Sequence, residues 1–511
     1  MTVYQIEVRA KSEQHDAQAH RLAREIIHVS HQQLPLLNAI TANQKSPLPL
    51  RTAQLYHLTG NLTPTQIDQL MTNLLADPVI QEARLSAGEA LQEHIVDVFF
   101  HAGVTDTLAE SVVAGAQMLG ITGLEHVETG RRYLLDTRLS AAEVRTIAEA
   151  LLYNPVIQQY ELRLARENGG VAHYAQCIAP DDADDTVTTI AGQGMDDNKS
   201  NLANGALDAS STVPICDMTD QQLLDLSKKG LLALNLAEMR TIQQHFREQK
   251  REPSDVELET LAQTWSEHCS HKTFKATVVY RELDSRGNVL AVETINGLLK
   301  QYLMRATQQV QQSWLVSAFS DNAGIIRFTG TQDIAFKVET HNHPSAIEPF
   351  GGANTGVGGV IRDVLGVSAR PIACTDILCF GPPGTPIDEL PAGILAPRRI
   401  ASGVVNGVRD YGNKMGIPTV NGAVLYHQGY LCNPLVFCGC LGILPHGSHP
   451  RQVEPGDRIV VLGGRTGRDG IHGATFSSGE MSSEINAQAG SAVQIGAPIT
   501  EKKVADVIIQ A

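Results

Sequence analysis

No apolar run in the 511-residue sequence approaches the length of a membrane span, and the opening Met1-Thr-Val-Tyr-Gln-Ile-Glu7 lacks a charged-then-apolar leader. No membrane partner is expected, and a cytoplasmic setting is. Excess positive charge is missing too. Forty Lys and Arg stand against 55 Asp and Glu, a net charge of −15, which argues against nucleic acid as a main partner. Phosphorylated small molecules stay open, because a carboxylate-held Mg²⁺ reverses the local sign. The eight cysteines form no CxxC pair and so no zinc or disulfide framework. Cys432, Cys438 and Cys440 fall in or beside a strand-like run and read as small buried hydrophobes.

What is present concentrates in Asp333-Ile-Ala-Phe-Lys-Val-Glu-Thr-His-Asn-His343. Read as a β-strand, it sends Phe336 and Val338 to an apolar core and Lys337, Glu339, His341 and His343 to the other face. Pro344 ends the run. A cation, a carboxylate and two imidazoles on one face fit proton handling beside a metal–phosphate. A surface ion pair is the plainer alternative. A zinc site through His341, His343 and Glu348, or through His268 and Cys269, lacks a second matched pair.

Next comes Gly351-Gly352-Ala353-Asn354-Thr355-Gly356-Val357-Gly358-Gly359-Val360-Ile361-Arg362-Asp363. No Gly-Lys-Ser/Thr follows, so it is not a Walker loop, and Ile361 replaces the third glycine of the dinucleotide fingerprint. Five glycines closing on Arg362 and Asp363 predict a turn whose N–H groups cradle nucleotide phosphates, making Gly352 to Asp363 an ATP-binding segment. Gly463-Gly-Arg-Thr-Gly-Arg-Asp-Gly-Ile-His-Gly473, after a predicted strand Arg458–Leu462, repeats the logic.

The chain as a whole reads as α/β (α+β). Its first 165 or so residues are internally repeated: Leu62 to Gln81 is echoed by Leu139 to Gln158, each a helix stopped by Asp/Asn-Pro. Two βαβα units with sheets packed back to back are expected. Residues 166–216, with Asp181-Asp-Ala-Asp-Asp185, read as a linker. Thr219/Gln222, Asn235/Glu238 and Ser254/Glu257 each predict a capped helix start. On the third helix, Leu258, Leu261, Ala262 and Trp265 form an apolar stripe that leads His268 inward. Further on, strands are expected at 276–280, 324–328, 334–339, 372–380 and 435–444, and helices at 301–312 and 398–411.

Several of these motifs resemble phosphoribosylformylglycinamidine (FGAM) synthase of purine biosynthesis, in its long single-chain form. They are Trp265-Ser-Glu-His-Cys-Ser-His-Lys272, Lys337-Val-Glu-Thr-His-Asn-His-Pro-Ser345, Gly352–Asp363, Thr466-Gly-Arg-Asp-Gly-Ile-His-Gly-Ala474 and Val493-Gln-Ile-Gly-Ala-Pro498. The resemblance implies an ATP-binding domain of the aminoimidazole ribonucleotide synthetase type. It also implies a ligase that aminates formylglycinamide ribonucleotide with ATP, Mg²⁺ and ammonia drawn from glutamine. Position by position, His341 resembles the catalytic proton acceptor and His268 a second catalytic residue. His271 and Lys337 resemble ATP contacts, and Glu339 and Asp363 resemble Mg²⁺ ligands. Thr340, Asn342, His343, Arg362 and Gln494 resemble substrate contacts. His271 agrees with the long form, where the short form carries tyrosine, and Ala497 stands where the family has aspartate. Other members of the ATP-binding superfamily, or a non-catalytic nucleotide scaffold, are the competing readings.

The implied organisation is an S-subunit-like module (1–165), a flexible linker (166–216), a helical linker (217–250), the N-terminal half of the synthetase domain (251–446) and an incomplete C-terminal half (447–511). No cysteine sits in a glutaminase context, so the ammonia source is expected in a glutaminase domain or subunit outside this chain. A fragment with little synthetase activity of its own is the expectation.

Overall fold

The computed structural model describes residues 2–33, 50–85, 93–101, 104–155, 157–165, 174–176, 211–386, 389–391, 393–449, 453–464, 470–479 and 492–510. The chain divides into two compact units: Met1–Gln176 with Ala306–Gly473 and Met481–Ala511, and Cys177–Arg305 with Ala474–Glu480.

The N-terminal repeat is real, but its two copies do not stack back to back. Strands β1 (Thr2–Ala10), β2 (Leu50–Gly60), β3 (Gln81–Leu85), β4 (His94–Phe100), β5 (Leu124–Leu135), β6 (Gln158–Arg163) and β7 (Tyr174–Gln176) form one sheet in the order β3-β1-β2-β5-β4-β6-β7. The copies join edge to edge through β2 and β5, which pairs backbone groups that stacked sheets would leave open. The helices then cross over. Helix α1 (Ala17–Gln33) of the first copy packs on Val96, Val98 and Tyr133 of the second. Helix α2 (Pro64–Leu70) follows β2, and α3 (Thr107–Met118) of the second copy packs on Ile6, Val8 and Leu58 of the first. Each copy thus buries its apolar face only with the other's help. Equivalent polar contacts mark the duplication. Asp16 accepts from Ala19 N (2.8 Å) and Thr52 N (2.7 Å), and Asp106 from Ala109 N (2.9 Å) and Thr129 N (2.7 Å). Helix α2 and its counterpart α4 (Ala141–Ile147) both begin with a capping box and both run on into a π-helical turn, Met71–Leu75 and Ala148–Leu152.

The acidic linker run lies outside the described residues. From Ser211 the second unit departs from a loose linker: Thr212 bridges Ser254, and Ile215 is fully buried. Helices α5 (Asp220–Lys229), α6 (Leu236–Gln249) and α7 (Asp255–Trp265) carry the three expected capping boxes. They close a core around Leu223, Met239, Ile242, Phe246, Leu258 and Ala262. A two-stranded ribbon of β8 (Thr277–Leu283) and β9 (Val289–Asn296) follows.

The synthetase-like part is a six-stranded sheet of β10 (Leu315–Ser317), β11 (Gly324–Arg327), β12 (Gln332–Thr340), β13 (Arg370–Phe380), β14 (Thr419–Tyr426) and β15 (Leu435–Pro445), ordered β10-β11-β12-β15-β13-β14. Helix α8 (Asn342–Ile347) leaves β12, and α9 (Pro349–Gly366), α10 (Pro397–Met415) and α11 (Pro498–Gln510) follow. Helices α9 and α10 pack on one face, around Val357, Val360, Ile361, Val364, Val404, Tyr411 and Cys440. Cys438 and Cys440 are buried as expected, whereas Cys432 is exposed.

Three expectations fail here for identifiable reasons. The glycine-rich turn is the body of α9. Val357, Val360, Ile361 and Val364 recur at helical spacing and are all buried, Pro349 occupies the first helical position and Glu348 caps it. Gly352 to Ile361 therefore engage their N–H groups inside a helix and do not form a phosphate cradle. The apolar side of β12 is also not the core side: Phe336 and Val338 are exposed, and α9 covers the face of Ala335, Lys337 and Glu339. A single helical layer covers a single face. Finally, Arg458–Leu462 makes no strand, and Ile459 and Val461 are 97% and 91% exposed, with no described strand beside them to pair their backbone. Arg465–Asp469 of the second glycine loop lies outside the described residues.

Candidate functional site

Strand β12 and the last turn of α9 bring three of the expected residues together. Lys337 Nζ lies 2.9 Å from Asp363 Oδ2 and 4.0 Å from Glu339 Oε2. The strand's period of two puts Lys337 and Glu339 on the α9 side, and the helix's position over the sheet delivers Asp363 from above. All three side chains are between a quarter and a third exposed, so the cluster opens to solvent on one side. Lysine between two carboxylates is stable as it stands. The same hard oxygen donors suit Mg²⁺, which takes one or two carboxylates and completes its shell with phosphate and water. Among the described residues no group of three or more His, Cys, Asp and Glu is placed to hold a metal ion.

His341 lies between the end of β12 and the start of α8. Its backbone N–H donates to Val436 O (2.8 Å) and its carbonyl accepts from Ser345 Oγ (2.6 Å), so the imidazole is held by main chain that does not depend on it. A Cβ on Gly356 of α9 would lie 3.0 Å from His341 Cβ and 3.4 Å from Cys438 Sγ, which shows how closely the helix rests on this point. His343 is not on the strand face with Lys337; it lies within α8, because the chain turns helical at Asn342. Asn342 itself accepts from Val436 N at 2.8 Å, extending the ladder by a side chain. Thr340 lies on the opposite, open face. Arg362 Nη1 is bound by Glu501 of α11 at 2.9 Å, with Tyr411 donating to the same carboxylate oxygen. Burial pushes the Glu501 carboxyl up, against the pull of Tyr411 and Arg362. The Gln494 carbonyl accepts from Thr355 Oγ1 at 2.8 Å, which seats that segment on α9.

His268 and His271 belong to the second unit. The stripe of α7 does not carry His268 inward: Ser266 takes an extended conformation (ψ 159°), breaks the helix after Trp265 and caps a short turn, Glu267–Ser270. His268 is exposed, and its backbone N–H donates to Ser478 Oγ at 3.2 Å. His271 holds a left-handed backbone (φ 54°, ψ 48°), unusual for a residue with a side chain.

Sequence reasoning missed Glu501, Tyr411 and Asp376. Nothing in their sequence neighbourhoods marks them, since each gains its meaning from a partner far along the chain. Glu348-Pro349 was legible as a helix start. Asp376 of β13 sits across from Cys438, which in turn faces Glu339. It is buried, accepts from Thr419 Oγ1 at 2.9 Å, and its Oδ1 has no hydrogen-bond partner. Burial raises its pKa, with Thr419 and Cys438 opposing. The folded state therefore holds this proton more tightly than the unfolded chain, and stability falls as pH rises from the ordinary carboxylate range through the folded value. Asp376→Asn keeps the Thr419 contact and removes that loss. In thermal unfolding, the variant's gain over the parent should be larger at about pH 8 than at about pH 5; a gain independent of pH would refute the assignment.

Comparison with known proteins gives this geometry a context. Residues 320–444 match the AIR synthase related protein, N-terminal domain; residues 223–272 match the formylglycinamide ribonucleotide amidotransferase linker domain; residues 93–166 match a model described as phosphoribosylformylglycinamidine (FGAM) synthase. The phosphoribosylformylglycinamidine synthase subunit PurL of Thermoplasma volcanium is 38% identical over 301 residues, 58% of this chain and 36% of the relative. That of Picrophilus torridus is 41% identical over 289 residues, 56% and 35%. A solved structure of T. maritima PurL complexed with FGAR shares 33% identity over 53% of this chain and 37% of that one, with a TM-score of 0.38. The likeness therefore rests on sequence, and the match spans only about a third of the relatives' length. Sheet, covering helices and the Lys337 cluster together define an AIR-synthase-related domain. Joined to its linker and N-terminal module, that domain is similar in sequence to the N-terminal portion of FGAM synthases.

Proposed function

We propose that the chain takes part in the ATP-dependent amidation of formylglycinamide ribonucleotide to formylglycinamidine ribonucleotide, a glutamine-dependent C–N ligase reaction of cytoplasmic purine biosynthesis. The observation that carries this reading is the placement of Lys337 between Asp363 and Glu339 beneath α9. An amide oxygen is a poor leaving group. Transfer of the γ-phosphoryl group to it releases ADP and gives an iminophosphate; ammonia adds at the carbon, and phosphate leaves with the C–O bond. The attacking nitrogen must lose a proton, and His341, at the end of the strand that carries Lys337 and Glu339, is the proposed acceptor. Lys337 binds nucleotide phosphate, and Glu339 and Asp363 hold Mg²⁺, whose charge offsets the triphosphate. Arg362, Asn342, His343, Thr340 and Gln494 are proposed substrate contacts, His268 is proposed as a second catalytic residue and His271 as an ATP contact. Ammonia comes from a glutaminase outside these residues.

Calorimetric titration with Mg²⁺ and ATP tests the nucleotide assignment. Lys337→Met removes the cation that answers phosphate charge, and affinity should fall by about tenfold or more, the scale of one charge-assisted hydrogen bond. Equal binding by the variant would remove Lys337 from the site.

A further inference from the structure

The duplicated module contains one asymmetry that duplication does not explain. Each copy ends its π-helical turn in Asp/Asn-Pro, and in both the backbone N–H of that residue donates to a glutamine four positions on: Asp77 to Gln81 Oε1 and Asn154 to Gln158 Oε1, each at 2.9 Å. The side chains then diverge. Asp77 is exposed, and its Oδ1 accepts from Val79 N of its own turn at 2.8 Å. Asn154 is 3% exposed and looks outward from the module: its Nδ2 donates to Ile347 O and to Glu348 Oε2, both at 2.6 Å. The other oxygen of Glu348 accepts from Gly351 N at 3.4 Å, the cap of α9. Alongside, Arg399 of α10 donates from Nη1 to Ala150 O (3.1 Å) and from Nη2 to Tyr153 O (2.7 Å), closing the end of the same π-helical turn. One turn of the N-terminal module is thereby tied to both helices that cover the synthetase sheet. Only an amide meets these partners: aspartate, the first copy's residue, would set a carboxylate against the Glu348 carboxylate and the Ile347 carbonyl.

We infer that Asn154 is a positioning residue for the synthetase site: by holding Glu348 at the start of α9, it sets where that helix delivers Arg362 and Asp363 against Lys337 and Glu339. Its consequence for nucleotide binding rests on the function proposed above; its geometry does not. The N-terminal module is then part of the site's scaffold, acting through the helix cap rather than through any contact with substrate.

The test uses the full chain with Asn154→Asp, Asn154→Ala, the double variant Asn154→Asp/Glu348→Gln, and Asp77→Asn as the matched control. The double variant exchanges donor and acceptor, so a 154–348 hydrogen bond can re-form while Gly351 keeps its acceptor. Amide hydrogen exchange over residues 349–357 and Mg²⁺–ATP affinity are read together. Loss of this buried hydrogen bond predicts that Asn154→Asp speeds exchange of the first turns of α9 and weakens nucleotide binding, each by about tenfold or more. The double variant should recover part of both changes, since its carboxylate at 154 still faces the Ile347 carbonyl, and Asp77→Asn should alter neither. Where Asn154→Asp does not fold, Asn154→Ala decides, with the same direction and a smaller effect. Unchanged exchange in the single variants, or no recovery in the double, overturns the inference. If the parent chain binds no nucleotide, the proposed function fails, and exchange alone still decides whether Asn154 holds the helix.

Discussion

His341→Ala, in a preparation with measurable amidation activity, should lower kcat by about 10²–10⁴-fold, the usual worth of a positioned general acid or base, while nucleotide affinity is retained. The separation is expected from the geometry. The strand end is fixed by the His341 N–H to Val436 O and by Ser345 Oγ to the His341 carbonyl, neither of which involves the imidazole. Removing the ring therefore leaves both of these backbone bonds and the Lys337–Asp363 pair in place and deletes the proposed proton acceptor. Single-turnover and steady-state rates on the variant, beside calorimetric ATP binding, provide the check. Normal turnover would take His341 out of its role, and parallel loss of ATP binding would make it a structural residue.

Two alanine substitutions in one helix should act in opposite directions. A Cβ on Gly352 would overlap the Ser345 backbone nitrogen, and backbone cannot swing aside as a side chain can. Forced overpacking costs about 1–3 kcal/mol, and this rigid obstacle places Gly352→Ala at the upper end. A Cβ on Gly359 meets nothing nearer than Arg362 Nη2 and Glu339 Oε2 at 4.0 Å. There the gain in helix propensity, about 1 kcal/mol, should dominate, and Gly359→Ala should stabilise. Denaturant unfolding without nucleotide measures both. Equal destabilisation by the two changes, or loss of nucleotide affinity with unchanged stability, would favour a phosphate cradle over the packed helix described here.

The glycine segment shows how the sequence misled. Five glycines in nine residues have the composition of a loop, and glycine is the costliest ordinary residue in a helix. The competing signal was also present: Glu348-Pro349 as a helix start, then Val357, Val360, Ile361 and Val364 at helical spacing. Close approach of α9 to α8 and to His341 requires small residues, and that need appears only when the neighbouring elements are in place. The orientation of β12 failed for a related reason. Alternation divides a strand into two faces but does not say which face a helix will cover, and the covering helix chose the one bearing Lys337 and Glu339.

Local chemistry was determined by the sequence alone. The three capping boxes and the course of β12 depend on residues within a few positions of one another, where propensity and hydrogen-bonding geometry act directly; the strand ends at Thr340, before Pro344, which lies inside α8. Only the tertiary structure decided that the repeat closes edge to edge with exchanged helices, that Glu501 engages Arg362 across 139 positions, and that Asn154 reaches Glu348 across 194. Those contacts exist because buried polar groups must find partners wherever packing brings them, and a linear pattern carries no record of what packing will bring.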